Sequence, residues 1–156
     1  MLELYTDGAC RNNPGPGGYA FVIVKDEVEI KRDFGGLKDT TNNQMELLAV
    51  IKGLESIDLL KVNVNYITVY TDSMYIVDAV NKGWINNWSR KGWVRGKKLN
   101  KELKNRFLWV WLDNILNKFD SNGIDVKVEY IPGHSGHKWN ELCDKLASEQ
   151  AYGLFA

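Results

Sequence analysis

Two aspartates each close a short strand-like segment with the same ending. The tripeptide Tyr-Thr-Asp occurs twice, and its aspartate, Asp7 or Asp72, follows a run of alternating residues typical of a β-strand. An isolated buried carboxylate is costly unless it is paired or binds a metal, so two such acids on neighbouring strands indicate a shared cation. For either residue alone, a turn or helix-capping role is the alternative, since Asp-Gly and Asp-Ser are common at turns and N-caps.

A third carboxylate, Glu46, is predicted on the inner face of a helix. Residues 41–44, Thr-Asn-Asn-Gln, fit a capping box that opens a helix, and helix-forming residues continue to residue 57. The alternative for Glu46 is a solvated position near the helix N-terminus, where the helix dipole favours an acid. Helical spacing instead places it on one face with small and apolar residues, namely Ala49, Val50, Gly53 and Ile57.

Asp144 and His134 are candidates from the C-terminal part of the chain. Asp144 lies in a predicted helix over residues 138–151, just beyond the edge of its apolar stripe, so helical geometry alone favours exposure. His134 lies in the loop sequence Pro-Gly-His-Ser-Gly-His, where an imidazole could move a proton near neutral pH or help to release product. A lone loop histidine is more often incidental, and its candidacy depends on the carboxylates. The stripe consists of Trp139, Leu142, Cys143, Leu146 and Ala147.

The four acids together form a candidate metal site made only of oxygen ligands. Such hard ligands suit Mg²⁺ or Mn²⁺. Next to a phosphate-binding segment, the corresponding chemistry is metal-assisted phosphoryl transfer, in which two ions ~4 Å apart activate a water and stabilise the leaving oxygen.

The segment 82–106 supplies a candidate phosphate-binding surface. It contains nine Lys/Arg and one acid, which leaves eleven basic and nineteen acidic residues elsewhere in a chain of zero net charge. Trp84, Trp88 and Trp93 are spaced among the cations. Cations bind phosphates and indole rings pack on sugars or bases, so the pattern indicates nucleic-acid binding. The alternative is a solvated loop whose tryptophans belong to the core, and both descriptions can hold together.

The strands and helices predicted to carry the candidate residues form a mixed α/β fold. A loop is predicted over residues 8–18, and Gly35-Gly36 is predicted to end a meander of three antiparallel strands. The strand, helix, strand, helix order that follows predicts a mixed α/β sheet. The predicted strands span 2–7, 19–24, 28–34, 67–73 and 125–131, and a long helix over 99–118 is predicted to bury Leu103, Phe107, Val110, Trp111 and Ile115.

Length and cysteine content give broader expectations. A chain of 156 residues is expected to form one domain, residues 1–156. Cys10 and Cys143 lie far apart, which argues against a disulfide framework and for a reducing compartment. No apolar run approaches the ~20 residues that a membrane span needs. We therefore expect a cytoplasmic protein without membrane association, and nothing in the sequence suggests more than a monomer.

Five motifs resemble type 1 ribonuclease H. They are Tyr-Thr-Asp-Gly at 5–8, Asn-Pro-Gly-Pro-Gly-Gly at 13–18, Thr-Thr-Asn-Asn-Gln-Met-Glu-Leu at 40–47, Tyr-Thr-Asp-Ser at 70–73, and Gly-His-Ser-Gly-His with Asn-Glu-Leu-Cys-Asp within 133–144. They cover nearly the whole chain in order. The resemblance implies a five-stranded mixed sheet, three antiparallel strands then two parallel, flanked by helices. It also implies hydrolysis of the RNA strand of RNA/DNA hybrids, leaving 5′-phosphate and 3′-hydroxyl ends.

The resemblance further implies roles for individual residues. Asp7, Glu46, Asp72 and Asp144 match the ligands of two Mg²⁺ ions, with Mn²⁺ as an alternative, and His134 matches the loop histidine. Two positions depart from the pattern, because many members carry Arg at Asp39 and some carry Gln at Met74. Groove contacts match Cys10, Asn12, Asn13, Asn42, Asn43 and Met74, the DNA-phosphate pocket matches Thr41 and Asn100, and a basic protrusion at about 82–101 contains Trp84, Trp88, Arg90, Lys91, Arg95, Lys97 and Lys98.

Three other interpretations remain at this point. The chain could be a catalytically silent hybrid-binding module, although none of the four carboxylates is missing. It could be another nuclease of the same superfold, such as a junction resolvase or an integrase core, although those lack the Trp-rich protrusion. It could also be a piece of a reverse transcriptase polyprotein; a start directly in a strand and the intact protrusion favour a cellular or phage enzyme.

Overall fold

The computed structural model describes residues 1–95 and 101–153 of the chain. The elements follow one another as β1 (Leu2–Cys10), β2 (Gly15–Lys25), β3 (Val28–Thr40), α1 (Asn42–Glu55), β4 (Tyr66–Thr71), α2 (Met74–Asn81), α3 (Trp84–Arg90), β5 (Val94–Arg95), β6 (Lys101–Glu102), α4 (Arg106–Ser121), β7 (Asp125–Tyr130) and α5 (Lys138–Gly153). Among the described helices, none is long and apolar enough to cross a lipid bilayer.

The main sheet is mixed, with the strand order β3-β2-β1-β4-β7. β1, β2 and β3 pair antiparallel, whereas β4 pairs parallel with both β1 and β7. A two-residue turn of Asp26 and Glu27, both with positive φ, joins β2 to β3, which is the geometry that matches the twist of a hairpin. The predicted fold class is therefore confirmed. A small antiparallel pair, β5 and β6, stands apart from the sheet.

Helices cover both faces of the sheet. One core cluster includes Leu2 and Leu4 of β1 together with the inner face of α1, and on the other face α5 packs Cys143 against Tyr5 and the valines of β2. Because β1 is central in the sheet, it is covered by α1 on one side and by α5 on the other. Residues from both helices therefore lie against the same strand.

The first three strands extend further than predicted. β1 continues past Asp7 to Cys10, β3 passes through Gly35 and Gly36 to Thr40, and only residues 11–14 separate β1 from β2. The predicted irregular loop over 8–18 and the predicted strand end at Gly35-Gly36 are therefore wrong. Pairing explains the difference, since Gly17 and Gly18 of β2 lie opposite residues of β1 and β3 on both sides. Ladder hydrogen bonds on two sides outweigh the low strand propensity of glycine.

The prediction for α4 is wrong in its start and in part of its buried face. The helix begins at Arg106 rather than at 99, and Phe107 is 76% exposed. Leu103 is fully buried but precedes the helix, and Ile115 is buried as expected. The helix carries two overlapping apolar stripes, and contact with the aromatic residues of α2 and α3 selects the other one. That stripe consists of Trp109, Leu112, Ile115 and Phe119.

Candidate active site

The two Tyr-Thr-Asp sequences lie side by side on neighbouring parallel strands. Tyr5 of β1 is the register partner of Tyr70 of β4, and the Thr6 hydroxyl donates a hydrogen bond of 2.8 Å to the Tyr70 carbonyl. Equal spacing from this pair places Asp7 and Asp72 at the same level of the sheet. Asp7 lies within β1, and Asp72 directly follows the last residue of β4.

Glu46 reaches the same place because α1 lies very close to β1. Gly8 makes this approach possible, since a Cβ on Gly8 would lie 2.5 Å from the Glu46 backbone nitrogen. The Thr41 side chain caps the helix by accepting the Gln44 N–H. The Gln44 side chain accepts from Thr40 and donates to Asn105, so only the Thr41 half of the expected capping box is present.

The three carboxylates form a compact, largely buried cluster. One oxygen from each of Asp7, Glu46 and Asp72 lies within 4.8 Å of the others. Asp7 is 5% exposed and Glu46 is 8% exposed, whereas Asp72 is half-buried. The predicted inward position of Glu46 therefore holds, and the solvated alternative does not.

Burial and the charges of neighbouring acids strongly perturb the pKa values of Asp7 and Glu46. Burial, followed by the charge of Asp72, raises the pKa of Asp7 to about 8. Burial, followed by the charges of Asp7 and Asp72, also raises the pKa of Glu46 well above its ordinary value. Acids that are difficult to ionise together in the metal-free chain would be stabilised by a cation between them.

The donor set fits a hard divalent cation. The Glu46 Oε2 atom is buried and has no hydrogen-bond partner in the described part of the chain. A buried, unpartnered carboxylate oxygen is costly, and a metal ion is the ligand that would satisfy it. Oxygen ligands alone favour Mg²⁺ or Mn²⁺ over softer metals.

The metal-free protein is expected to lose stability as the pH rises from about 5 to about 8. An aspartate has an ordinary pKa of 3.8, whereas Asp7 in the folded chain has a pKa of about 8. The folded state therefore binds more protons in this interval, and a higher pH favours unfolding. We expect Asp7→Asn to flatten the pH slope and to raise the free energy of unfolding at about pH 8 by about 0.5–2 kcal/mol.

Denaturant titrations in EDTA at the two pH values measure this effect. Asp120→Asn is the matched control, because Asp120 is an exposed carboxylate near the end of α4. It should keep the wild-type slope. A wild-type protein equally stable at both pH values would contradict the expectation.

Asp144 and His134 lie beside this cluster. Asp144 is on α5, its side chain is 32% exposed, and its charge contributes to the raised pKa of Asp7. The Asp144 side chain is thus neither fully exposed, as helical geometry alone favours, nor fully buried. His134 Nδ1 lies 3.7 Å from Asp144 Oδ2.

Glu141 is a further site residue, which the sequence analysis did not predict. Ligand atoms of His134, Glu141 and Asp144 lie within 4.8 Å of one another. The sequence did contain an indication of this position, because Glu141 is one helical turn before Asp144 and so lies on the same side of the helix.

Most of the residues matched to groove contacts lie in the loop after β1 and at the start of α1, whereas Met74 opens α2. Asn13 Oδ1 accepts the Asn42 N–H at 2.9 Å, which ties the loop after β1 to the helix N-terminus. The Cys10 thiol lies 3.3 Å from the Thr40 carbonyl, so it holds the end of β1 against the end of β3. Thr41 is the half-buried helix cap, and the exposed members of the set are Asn12, Asn13, Asn42, Asn43 and Met74.

The predicted basic protrusion is only partly within the described residues. Trp84 and Trp88 are half-buried and pack with Tyr75 and Trp109, with ring centroids 5.1–6.3 Å apart. These tryptophans therefore join the core, as the alternative interpretation of this segment requires. Arg90 and Lys91 are exposed beside them, and Arg95 belongs to β5, whereas Lys97, Lys98 and Asn100 lie outside the described residues.

Known proteins resemble this chain along nearly its whole length. The RNase H family model matches residues 1–152. A ribonuclease H from Syntrophomonas wolfei is 46% identical over 146 residues, which cover 94% of this chain and 92% of that protein. A ribonuclease H from Trichodesmium erythraeum is 44% identical over 153 residues, with 98% of this chain and 90% of that protein covered.

A solved structure shares the fold. The crystal structure of LC11-RNase H1 in complex with an RNA/DNA hybrid superposes with a TM-score of 0.74 and 23% sequence identity. The match covers 100% of both chains. At this identity the likeness concerns the arrangement of the elements described above.

Proposed function

Since this chain belongs to the ribonuclease H family, we propose that it hydrolyses the RNA strand of RNA/DNA hybrids and leaves 5′-phosphate and 3′-hydroxyl ends. The observation that carries the proposal is the convergence of Asp7, Glu46 and Asp72, with one Glu46 oxygen buried and unpartnered. The LC11-RNase H1 structure, which was solved with an RNA/DNA hybrid, supports the substrate class.

The carboxylates would hold two divalent ions, and Mg²⁺ is the proposed cofactor with Mn²⁺ as an alternative. Bound ions supply an activated water and charge stabilisation for the leaving oxygen of the phosphodiester. The chain contributes fixed ligand positions, because Asp7 is on a central strand, Asp72 follows its parallel neighbour, and Glu46 lies on a helix packed against both. Asp144, on α5, completes the proposed ligand set.

His134 is the proposed proton carrier of the site. Its imidazole is 81% exposed and lies next to the Asp144 carboxylate, on the side of the cluster that faces solvent. An exposed imidazole can exchange protons with water and with a leaving 3′-oxygen. The proposed role is proton transfer or assistance in product release.

Discrimination of RNA from DNA is assigned to the exposed residues around the start of α1. The 2′-hydroxyl is the group that separates RNA from DNA at a given site, and amide side chains can both donate to it and accept from it. Asn12, Asn13, Asn42 and Asn43 are exposed and offer such groups, and the hydrogen bond from the Asn42 N–H to Asn13 Oδ1 brings the two segments together. Met74 provides no strong hydrogen bond, so we propose that it contributes packing only.

The DNA strand is proposed to bind at Thr41 and Asn100 and along the protrusion. Thr41 caps α1, so a phosphate near it would lie at the positive end of the helix dipole. Asp39 is exposed two residues earlier, and its charge would weaken phosphate binding there. The basic protrusion is therefore proposed as the main source of affinity.

Neutralising the protrusion is expected to weaken hybrid binding and to flatten its dependence on salt. Replacing Arg90, Lys91, Lys97 and Lys98 with Gln removes cations that release counterions from phosphates. The slope of log affinity against log salt concentration should therefore fall by about 0.7–0.9 for each phosphate that is no longer neutralised. Filter binding or fluorescence anisotropy over a range of salt concentrations measures this slope.

The matched control replaces four exposed lysines outside the protrusion with Gln. They are Lys25, Lys31, Lys61 and Lys118. This control has the same change in net charge. Its slope of log affinity against log salt concentration should stay close to that of the wild type. If both proteins kept the wild-type slope, the protrusion would have only a structural role.

We propose one domain over residues 1–156 that acts as a monomer, because the three clustered carboxylates and Asp144 all come from one chain. A cytoplasmic location is proposed because Cys10 and Cys143 are both free thiols, as a reducing compartment favours.

The test of function is a substrate panel. End-labelled RNA is offered as a single strand, as an RNA duplex and within an RNA/DNA hybrid, each with Mg²⁺ or EDTA. We expect cleavage of the hybrid alone, only with Mg²⁺, and ligatable 5′-phosphate ends on the products. Binding of the hybrid without cleavage would support the silent binding module instead, and cleavage of the single strand or of the RNA duplex would contradict the proposed specificity.

A further inference from the structure

The loop that carries His134 is exposed along most of its length, yet α5 holds it at two points. The Asn140 side chain is buried and donates to the Pro132 carbonyl at 3.4 Å. The Glu141 carboxylate accepts the Gly136 N–H at 3.1 Å. These hydrogen bonds fix the two ends of a loop whose residues otherwise face solvent.

A third contact ties the loop to the sheet. The His137 ring stacks on the Tyr5 ring, with centroids 5.1 Å apart and planes 27° apart. Tyr5 also stacks on Tyr70, at 4.7 Å and 13°. The two tyrosines precede Asp7 and Asp72 by two residues each. The stack of His137, Tyr5 and Tyr70 therefore connects the loop to the two strands that bear the central carboxylates.

His134 needs such support to keep its place. Its backbone has φ +57°, a left-handed conformation that costs free energy for residues other than glycine and persists only where neighbouring contacts hold it. Its imidazole is 81% exposed, and its contact with Asp144 spans 3.7 Å. Without restraint, a side chain this exposed would sample many rotamers away from Asp144.

The loop also approaches the carboxylates closely. A Cβ on Gly133 would lie 3.1 Å from Asp72 Oδ2. The residue before His134 thus lies directly against the cluster, so a shift of the loop changes the distance from His134 to the reacting groups.

We propose that His137 and Glu141 are positioning residues that hold the His134 loop against the carboxylate cluster. His137 acts through its stack on Tyr5, and Glu141 acts through the Gly136 N–H. This inference rests on the proposed function, because it assumes that His134 takes part in the reaction. Neither residue is needed in contact with the substrate.

The expected kinetic effect is a lower kcat with little change in KM. Misplacement of a catalytic group by about 1 Å can cost up to about 10²-fold, and a loosened loop samples the correct place part of the time, so we expect a fall of about 5- to 20-fold in kcat for His137→Ala and for Glu141→Gln. His137→Phe keeps a ring for the stack and should recover kcat to within about twofold. Binding of the hybrid lies mainly elsewhere, so KM should stay within about twofold.

The decisive experiment is a double-mutant cycle with His134→Ala. Steady-state cleavage of the hybrid is measured for wild type, His137→Ala, Glu141→Gln, His134→Ala and the two double variants, with thermal unfolding of each. If positioning residues act through His134, their substitution adds nothing in the His134→Ala background. Glu149→Gln, an exposed acid later on α5, is the matched control for Glu141→Gln and should have wild-type kcat.

Each outcome bears on a distinct claim. Wild-type kcat for His137→Ala and Glu141→Gln, with a reduced kcat for His134→Ala, would overturn the positioning role alone. Equal losses in the wild-type and His134→Ala backgrounds, or failure of His137→Phe to recover kcat, would also overturn it. Wild-type kcat for His134→Ala would instead contradict the role of His134 in the proposed function.

Discussion

Asp72→Asn is expected to lose RNA cleavage by about 10³-fold or more while still binding the RNA/DNA hybrid. The amide has nearly the shape of the carboxylate but lacks its charge, so the fold and the basic surface persist while the metal site fails. Asp72 is half-buried beside two acids that are already difficult to ionise, and loss of its charge removes a ligand from the cluster.

Single-turnover cleavage and equilibrium binding of the same labelled hybrid test this prediction together. Asp120→Asn is again the matched control and should cleave at the wild-type rate. Substantial cleavage by Asp72→Asn would contradict the assignment of the site, and loss of binding in parallel with cleavage would indicate a folding defect rather than loss of a ligand.

Gly8→Ala is expected to destabilise the protein by about 1–3 kcal/mol and to reduce cleavage sharply. The added Cβ would lie 2.5 Å from the Glu46 nitrogen and 2.6 Å from the Met45 carbonyl carbon. These are backbone atoms of α1, so no side chain can rotate to relieve the contact, and α1 must move away from β1. Such a movement also displaces Glu46 from Asp7.

Chemical denaturation and hybrid cleavage measure the two consequences. Gly153→Ala is the matched control, because a Cβ there would have no neighbour within 4 Å among residues 1–95 and 101–153, and it should leave both quantities near the wild type. A Gly8→Ala protein with wild-type stability and activity would show that α1 can retreat without disturbing the cluster.

Local patterns in the sequence predicted the centre of the candidate site. The repeated Tyr-Thr-Asp predicted that Asp7 and Asp72 meet, because parallel strands in register place equal spacings side by side. The apolar and small neighbours of Glu46 predicted that it faces inward. Both inferences depend on periodicities of two and 3.6 residues, which the backbone enforces regardless of distant contacts.

Features set by contacts between distant elements could not be predicted in the same way. β3 continues through Gly35 and Gly36 because β2 pairs with both residues, which no local propensity indicates. The buried face of α4 depends on the packing of Trp109 with Trp88 and Tyr75, and two apolar stripes in one helix left that choice open. Glu141 joins His134 and Asp144 only once the loop folds back onto α5.

The rate of hybrid cleavage as a function of Mg²⁺ concentration, measured for wild type and Glu46→Gln, decides whether the carboxylate cluster is a metal-dependent active site. Glu46 is the natural choice because its Oε2 atom is the buried oxygen that a cation would satisfy. We expect no cleavage by the wild type in EDTA, full recovery with Mg²⁺, and no recovery for Glu46→Gln at any Mg²⁺ concentration. Cleavage in EDTA, or the same Mg²⁺ dependence in both proteins, would contradict a metal-dependent site at these carboxylates.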